Sequence, residues 1–325
     1  MFEGLKNSKV LVTGATGLIG QALVRKLLDS GSEVIAIVRS MEKAINIFGA
    51  NAPVTFLVND VTALEVKKYD IDYLVHAASN TSSKAFINDP VGVINTAIEG
   101  TRRTLEIARL SGLKGYVYLS SMEVYGTPTT DEKIDELHST NLDTMKPRSA
   151  YPESKRMCEN LCVSYVSQYG VPAKVVRLTQ TFGPGVQYND GRVFAEFARC
   201  AIEGRDIVLH TKGQTKRNYL YTEDAMEAIL TVLIKGAVGE AYNAANEETY
   251  CSIYEMAELV ASECACGKIK VVIDEKDTSS FGYAPTLHMN LDTQKLRELG
   301  WKPSLNIVDM YSEMIAWMRK SNTNS

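Results

Sequence analysis

The chain has 325 residues, 45% of them hydrophobic and 23% charged, which is the composition of a globular protein with one large domain or two unequal ones. The formal net charge of −4 argues against a nucleic-acid-binding protein, because such proteins concentrate basic residues on one surface. No apolar run approaches the ~18 residues that a membrane-spanning helix requires, so we expect no membrane partner.

Strands and helices are predicted to alternate through the first 178 residues. The first seven residues lead almost directly into an apolar strand without a signal-peptide core, so we expect a cytoplasmic protein. The predicted strands are 9–13, 33–38, 54–58, 73–77, 115–120 and 173–178. The predicted helices are 18–28, 90–111 and 149–169. This alternation indicates an α/β fold with a doubly wound parallel sheet.

The pattern changes after residue 178. Turn sequences at 183–185 (Gly-Pro-Gly) and 189–191 (Asn-Asp-Gly) mark a long loop region. Helices are then predicted at 192–203, 222–233, 252–266 and 306–320, with little strand between them. A segment near 241–246 allows one return to the sheet. We therefore expect a smaller, mostly helical substrate-binding region over residues 179–325.

The six cysteines do not predict a disulfide framework or a metal site. Cys158 and Cys162 share a helix face, and residues 264–266 read Cys-Ala-Cys. Neither pair comes with a second ligand pair at zinc spacing. We expect reduced cysteines that serve packing and no bound metal.

A glycine-rich turn joins the first predicted strand to the first predicted helix. Residues 13–20 read Thr-Gly-Ala-Thr-Gly-Leu-Ile-Gly, a spacing of G-x-x-G-x-x-G that differs from the standard dinucleotide fingerprint. Glycines at such a turn let the backbone approach a pyrophosphate, and the helix N-terminus offers free N–H groups. Because the turn lies between a strand and a helix, we interpret it as a cofactor-binding turn and not as a purely structural one. Residues 1–178 are then expected to form a Rossmann-type NAD(P)-binding domain. The expected cofactor contacts in this turn are Gly14, Thr16, Gly17, Leu18, Ile19 and Gly20.

Two further positions bear on the choice between NAD and NADP. Asp60 and Val61 follow the third strand, where a carboxylate can accept hydrogen bonds from adenine, or alternatively cap a turn. An NAD enzyme usually has an acid after the second strand for the ribose 2′-hydroxyl, but Arg39 is found there. Arg39 can pair with a 2′-phosphate, stack on adenine or stay in solvent. The cofactor is therefore expected to be NAD or NADP.

A tyrosine and a lysine lie four residues apart near the start of the helix at 149–169. At that spacing Tyr151 and Lys155 leave one face of the helix. A phenol normally titrates near pH ~10, and a nearby ammonium group lowers that pKa. The pair is a candidate proton shuttle for a sugar or alcohol hydroxyl beside a hydride acceptor. Any long helix can carry this spacing as an ordinary solvated pair.

Taken together, the motifs resemble the extended short-chain dehydrogenase/reductases of the NAD-dependent epimerase/dehydratase family that act on nucleotide sugars. The resemblance covers nearly the whole chain and lies in several motifs that follow the family's order. These motifs are residues 13–20, Asp60, 76–79 (His-Ala-Ala-Ser), 119–126 (Leu-Ser-Ser-Met-Glu-Val-Tyr-Gly), 151–155, 177–185 and 217–224.

The resemblance implies roles for individual residues. Ser121 would hydrogen-bond the reacting hydroxyl or ketone, and Tyr151 would accept or donate the proton. Lys155 would bind the nicotinamide ribose and lower the pKa of Tyr151. The resemblance also places Ala77, Ala78, Ser79 and Tyr151 at the cofactor.

The substrate residues follow from the same resemblance. Arg217 matches an arginine that neutralises the substrate pyrophosphate. Residues 189–193 resemble a segment of UDP-glucuronate decarboxylases, which implies a phosphate contact for Arg192. Gln180 stands where the family usually has an asparagine after the sixth strand, and Ala97 replaces another family asparagine. Both departures fall near the nicotinamide or the sugar, so the exact substrate does not follow from the resemblance.

The residues after Ser121 bear on the reaction. The 4,6-dehydratases have an Asp-Glu pair there, whereas this chain has Met122 and Glu123. The aspartate that is missing at position 122 argues against dehydration. Glu123 matches the glutamate of the decarboxylases. The alternative is that Glu123 is an ordinary polar residue of the loop.

We therefore expect an NAD(P)-dependent enzyme that oxidises a sugar hydroxyl at C4 through Ser121, Glu123, Tyr151 and Lys155, followed by decarboxylation or epimerisation of the 4-keto sugar. An NADPH-dependent reductase of a 4-keto nucleotide sugar and a non-catalytic nucleotide-binding protein are the alternatives. A homodimer formed by the helices at 90–111 and 149–169 is expected from relatives, unless their apolar faces only cover the sheet.

Overall fold

A computed structural model describes residues 2–276 and 286–322 of the chain. The strands are β1 Lys9–Thr13, β2 Glu33–Val38, β3 Val54–Val58, β4 Tyr73–His76, β5 Gly115–Ser121, β6 Lys133–Ile134, β7 Ala173–Leu178, β8 Gln180–Phe182, β9 Ile207–Leu209, β10 Lys216–Tyr221, β11 Ala241–Ala244, β12 Asn246–Ser252, β13 Val271–Ile273 and β14 His288–Leu291. The α-helices are α1 Leu18–Asp29, α2 Met41–Phe48, α3 Ser83–Asn88, α4 Pro90–Ser111, α5 Ala150–Tyr169, α6 Val193–Glu203, α7 Thr222–Lys235, α8 Ile253–Leu259, α9 Gln294–Glu298 and α10 Ile307–Asn322.

Within the described residues, seven parallel strands form the main sheet in the order β11-β7-β5-β4-β1-β2-β3. The prediction of a doubly wound parallel sheet is confirmed, and all six predicted strands lie in it. The seventh strand, β11, pairs with β7 at the sheet edge, the return that the pattern near 241–246 allows. Parallel strands end at a common edge, so the last residues of β1, β4 and β5 bring Thr13, His76 and Ser121 to one side.

The second half contains more strand than the sequence pattern predicts. In residues 2–276 and 286–322, a mixed sheet of five strands has the order β12-β10-β14-β6, with β8 also paired to β10, and β13 pairs with β9 separately. The expectation of little strand between the later helices is therefore wrong. Several of these strands have only two to four residues, too short for a period-two pattern to show. One of them, β6, comes from residues 133–134, ahead of β7 in the chain.

Helices cover both faces of the main sheet. Buried residues of α1 and α7 pack against one face, and those of α4 and α5 against the other. Since α7 follows residue 178, the later part of the chain completes the core of the main sheet. A second apolar core joins α6, α8 and α10 to the smaller sheet.

The ends of α4 show why its predicted bounds match the structure. Asp89 accepts a hydrogen bond from the Gly92 amide (3.0 Å), Pro90 occupies the first turn, and Gly112 ends the helix in the left-handed conformation. Among the helices of the described residues, none combines the length and apolarity required to cross a membrane.

Candidate active site

The candidate site lies where α5 packs against the end of β5. Residues spaced by four leave one face of α5, and this face meets three successive residues of the strand. Lys155 Nζ donates to Leu119 O (2.7 Å), Ser120 Oγ donates to Glu159 Oε1 (2.5 Å), and Ser121 lies close enough to Tyr151 to lower the pKa of its phenol. The structure thus brings Ser121, Tyr151 and Lys155 together, as the resemblance predicts. Their roles in catalysis remain a prediction.

Glu159 anchors this arrangement to the neighbouring strand. Arg177 on β7 binds the Glu159 carboxylate through Nε (2.9 Å) and Nη2 (2.6 Å). Its Nη1 donates to the Tyr125 hydroxyl (2.9 Å) and to Glu136 O (2.8 Å). Both members of the ion pair are 13% exposed. The pair therefore fixes the position of α5 along the sheet from inside the protein.

The electrostatic surroundings of Tyr151 differ from the expectation. Burial raises the pKa of Tyr151, and the charge of Glu123 raises it further, while the hydrogen bond to Ser121 and the charge of Arg148 lower it. Lys155 is not among the groups that lower this pKa, contrary to the expectation. The Lys155 amine lies 5.7 Å from the centroid of the Tyr151 ring, and the cost of burying a phenolate dominates.

Lys155 itself is a buried amine. Its side chain is 3% exposed, and burial lowers the pKa of Lys155 to about 8. The amine also lies 4.8 Å from the centroid of the Tyr118 ring, which gives it a cation–π contact. Near neutral pH Lys155 is thus a cation that sits close to its own titration point.

Replacement of Lys155 by methionine should change how stability depends on pH. Between pH 8 and 10.5 the unfolded chain holds the Lys155 proton more strongly than the folded protein does, so the wild-type free energy of unfolding gains a contribution that rises with pH. Lys155→Met should lack this rise. Urea unfolding at several pH values measures it, with exposed Lys68→Met as the control. Parallel curves for the wild type and Lys155→Met across this window would contradict the buried-amine description.

Glu123 is held in a bidentate ion pair. Arg148 Nη1 and Nη2 donate to its two carboxylate oxygens at 2.8 and 3.0 Å. Glu123 is close enough to raise the pKa of Tyr151, so it belongs to the same site. Met122 is 5% exposed and packs in an apolar cluster with Tyr125 and other residues. A thioether in an apolar cluster cannot supply the proton that a departing hydroxyl needs, which agrees with the argument against dehydration.

The glycine-rich turn is built by contact with the loop after β4. Gly14 has a φ of +69°, and a Cβ there would lie 2.7 Å from the Ala78 nitrogen. The Ala78 amide donates to Thr13 Oγ1 (3.2 Å), which lies 2.7 Å from His76 Nδ1. The turn is thereby joined to residues 77–79, so both predicted cofactor segments meet at the edge of the sheet. Burial lowers the pKa of His76 to about 3, so its ring is neutral.

The N-terminus of α1 is suited to bind a diphosphate. Gly17 precedes the helix and is exposed, and no side chain within the described residues caps its first turn. The amides of Leu18, Ile19 and Gly20 occupy this first turn, so their N–H groups and the helix dipole are available to an anion. Gly20 packs directly on Gly14, where a Cβ would lie 2.1 Å from the Gly14 carbonyl oxygen. Thr16, in the turn itself, is half-buried. This arrangement fits the pyrophosphate of a dinucleotide.

Substitution of Gly14 by alanine should weaken dinucleotide binding at least about tenfold, since the left-handed conformation and the clash with residues 77–78 each oppose an added methyl group. Calorimetric titration of the apoprotein with NAD measures the affinity. Gly112→Ala is a matched control: its φ is +65°, and its added Cβ would meet no described atom within 4 Å. Equal affinity for both variants would show that the contact with residues 77–78 does not shape the site.

The predicted adenosine side of the site contains Asp60 and Arg39. Asp60 Oδ1 accepts hydrogen bonds from the Thr62 amide (2.9 Å) and hydroxyl (2.7 Å), which lower the pKa of Asp60. The carboxylate therefore caps a turn, as one of the two interpretations held, and its second oxygen is left for a ligand. Arg39 is exposed and close enough to lower this pKa further. Val61 is buried beside Gly100.

The predicted substrate residues fall into two groups. Gln180 on β8 and Arg217 on β10 come together, since Arg217 Nη1 donates to Gln180 Oε1 (3.2 Å). Arg217 Nε is buried and has no acceptor among the described residues. Arg192 instead binds Asp190 through Nε (2.9 Å) and Nη2 (2.6 Å). Among the described residues, therefore, Arg217 keeps a donor without an acceptor, while Arg192 is paired with Asp190.

Arg148 and Phe86 are site residues that the sequence interpretation missed. The Phe86 ring stacks on Tyr151 with centroids 4.4 Å apart, and the Arg148 guanidinium lies 4.9 Å from the Phe86 centroid. Arg148 precedes Tyr151 by three residues and lies one position before the predicted helix at 149–169, so the sequence interpretation did not include it. Its partner Glu123 is 25 residues away in sequence, and no local pattern reveals that contact.

The sequence and the fold of the chain are similar to those of known proteins. Residues 10–245 match the model of the NAD dependent epimerase/dehydratase family. UDP-glucuronic acid decarboxylase 1 of Arabidopsis thaliana is 29% identical over 99% of this chain and 72% of its own length. UDP-N-acetyl-alpha-D-glucosaminuronate decarboxylase of Bacillus cytotoxicus is 27% identical over 96% of this chain and 98% of its own. The structure of UDP-glucose 4-epimerase from Thermotoga maritima superposes with a TM-score of 0.83 at 21% identity, covering 97% of this chain and 99% of that one.

Proposed function

Because the chain belongs to the NAD-dependent epimerase/dehydratase family, we propose that it is an enzyme that oxidises a hydroxyl of a nucleotide-linked sugar at C4 and then decarboxylates or epimerises the 4-keto sugar. The observation that carries the proposal is the convergence of Ser121, Tyr151 and Lys155 at the end of β5, beside the uncapped start of α1. Proton-transfer groups and a dinucleotide site on one sheet edge are what oxidation of an alcohol requires.

The cofactor would be held by the elements at the ends of β1, β3 and β4. The start of α1 would bind the pyrophosphate, the free oxygen of Asp60 would face the adenine, and Lys155 would bind the nicotinamide ribose. When bound, NAD supplies the acceptor for the hydride that leaves the sugar carbon.

The chain's own residues would handle the proton and the developing oxygen charge. Tyr151 would remove the hydroxyl proton, and Ser121 would hydrogen-bond the same oxygen. Because burial raises the pKa of Tyr151, its phenolate needs nearby positive charge, which Lys155 supplies from the next turn of α5. We therefore expect the positive charge of Lys155 to stabilise the Tyr151 phenolate once the cofactor and the sugar are bound.

The later steps would follow from the ketone. A C4 ketone lies β to a C6 carboxylate, so a uronic acid sugar can lose carbon dioxide once it is oxidised. A sugar with a hydroxymethyl group there would instead receive its hydride back on either face. The buried Met122 supplies no acid for 4,6-dehydration. The decarboxylase relatives and the epimerase structure correspond to the first two outcomes.

Arg217 and Gln180 would bind the diphosphate of the sugar nucleotide. The guanidinium of Arg217 has a buried Nε without an acceptor among the described residues, and a fork of donors matches phosphate oxygens. We expect Arg192 to reach the phosphates only if the ligand draws it from Asp190.

A panel of UDP-, dTDP-, CDP- and GDP-linked sugars and uronates tests the proposal. The absorbance of reduced nicotinamide in the protein would report the 4-keto stage, carbon dioxide release would report decarboxylation, and NMR of the product would report epimerisation. Turnover of at least one member is expected. A protein that binds NAD tightly yet changes none of these compounds would contradict the proposal.

A second candidate function is reduction of a 4-keto nucleotide sugar by NADPH. The observation in its favour is the exposed Arg39 at the end of β2, where a 2′-phosphate would lie. Calorimetric titration with NADH and NADPH separates the two candidates. Tighter binding of NADH would remove the support for the reductase.

We also propose that the protein is a homodimer that pairs α4 and α5 of each subunit. Both helices expose large apolar side chains on the described surface, which a monomer would leave in water. These residues are Val91, Ile94, Leu110, Met157, Val163 and Tyr169. Met157→Glu should shift the protein from dimer to monomer in sedimentation velocity, whereas Val238→Glu, at an exposed apolar residue outside these helices, should not. A monomeric wild type would refute this proposal.

A further inference from the structure

Arg148 contacts two residues that face Tyr151 from different parts of the chain. Its two terminal nitrogens bind the Glu123 carboxylate, which follows β5, and its guanidinium lies over Phe86 of α3. Phe86 is 3% exposed and stacks on the Tyr151 ring at an interplanar angle of 19°. Arg148 itself lies in the short helical turn Pro147–Ser149 that leads into α5.

We propose that Arg148 is a positioning residue of this site, which holds the Glu123 carboxylate in place after β5 and supports the Phe86 ring against Tyr151. This inference rests on the proposed function, because it assigns Tyr151 the role of the base. It adds a residue that the motifs of the chain do not indicate, and it explains how a carboxylate can stand close to a base that must itself become negative.

The charges of the pair oppose each other at Tyr151. The Glu123 charge raises the pKa of Tyr151, and the Arg148 charge lowers it. The other groups near the ring are Ser121, which also lowers this pKa, the Lys155 amine, and Tyr118, whose ring contacts that amine. Loss of Arg148 would thus leave a negative charge beside a group that has to ionise.

The geometry requires arginine at this position. A guanidinium is flat, so it can bind both carboxylate oxygens and lie against a ring at the same time. An ammonium group is compact and would keep at most one of these contacts. The charge alone is therefore not sufficient, and Arg148→Lys isolates the contribution of geometry.

The first experiment measures kcat/KM against pH on a substrate found in the panel. Activity through a phenolate rises with pH as the base ionises, so a higher pKa moves this rise to higher pH. Arg148→Gln should move it up by about one pH unit and lower kcat by about tenfold or more, while Glu123→Gln should move it down by about one unit. Arg148→Lys should lower kcat with a smaller shift. Arg205 follows the C-terminal end of α6 and pairs with two carboxylates of that helix. Arg205→Lys should therefore change neither kcat nor the pH of the rise in kcat/KM.

The second experiment needs no sugar substrate, so it separates this inference from the proposed function. Ultraviolet difference titration of the NAD-bound protein, with Tyr151→Phe subtracted, reports ionisation of the Tyr151 phenol. Arg148→Gln should move this titration to higher pH and Glu123→Gln to lower pH.

Opposite shifts in the two variants support the inference. Shifts in the same direction, or no shift, would overturn it, even if activity falls, because a residue that only maintains the fold would not displace the phenol titration with opposite signs. If Arg148→Gln is insoluble, the inference is tested with Glu123→Gln alone. If the Tyr151 titration of that variant does not move to lower pH, the inference is overturned.

Discussion

Replacement of Tyr151 by phenylalanine is expected to lower kcat about 10³-fold on the true substrate, within the range that proton-transfer catalysis contributes. The variant keeps the ring that stacks on Phe86 and loses only the hydroxyl, whose pKa Ser121 lowers. Affinity for NAD should stay within about twofold, because the expected cofactor contacts at α1 and Lys155 are unchanged. Steady-state kinetics and calorimetric titration measure the two quantities.

A matched control exists for the loss of a buried phenol. Tyr311 is buried in the second core, and its hydroxyl has no hydrogen-bond partner within residues 2–276 and 286–322. Tyr311→Phe should therefore leave kcat unchanged. Tyr151→Phe with kcat near that of the wild type would remove Tyr151 as the base, whatever the sugar proves to be.

Replacement of Arg177 by methionine should lower the free energy of unfolding by about 3–5 kcal/mol, the usual loss when one member of a buried ion pair is removed. Glu159 would stay buried with its charge unpaired, and the bonds to the Tyr125 hydroxyl and Glu136 O would be lost as well. Urea unfolding followed by circular dichroism measures the change. Kinetic assays should also detect it, since Glu159 holds the face of α5 that carries Tyr151 and Lys155.

Two further variants test the cause of this loss. The double variant Arg177→Met/Glu159→Leu should be more stable than Arg177→Met, because it has no unpaired buried charge. Arg102→Met removes a bidentate pair that is exposed on α4, and should change stability by less than about 0.5 kcal/mol. If the Arg177 and Arg102 variants lose equal stability, burial of the Arg177–Glu159 pair is not the cause.

The main sheet and the cofactor turn were predictable because their signals are local. The mostly apolar segments of β1 and β2 each lie close to a glycine, and Pro90 and Gly112 define the ends of α4. The meeting of Ser121 with Tyr151 and Lys155 came from the family resemblance, which supplied a spatial relation that spacing alone does not give.

The remaining features depend on contacts between distant residues. The strands β6, β8 and β14 are too short to show a periodic sequence pattern. They form because they pair with neighbouring strands in the smaller sheet, and the sequence does not report this pairing. Likewise, the pairing of Glu123 with Arg148 exists only once the loop after β5 and the turn before α5 have packed together. The raised pKa of Tyr151 follows from burial, which a helical spacing does not report.

The position of β11 and α7 has a consequence for synthesis of the protein. Both belong to the main sheet, one as the strand beside β7 and the other as a covering helix, yet they are translated after residue 178. A nascent chain that stops there would leave the edge of β7 unpaired, and the apolar face of the main sheet that α7 covers would be exposed to solvent. We therefore expect the dinucleotide-binding half to reach its native state only after residue 244 has left the ribosome, and a fragment ending at 178 to aggregate when it is expressed.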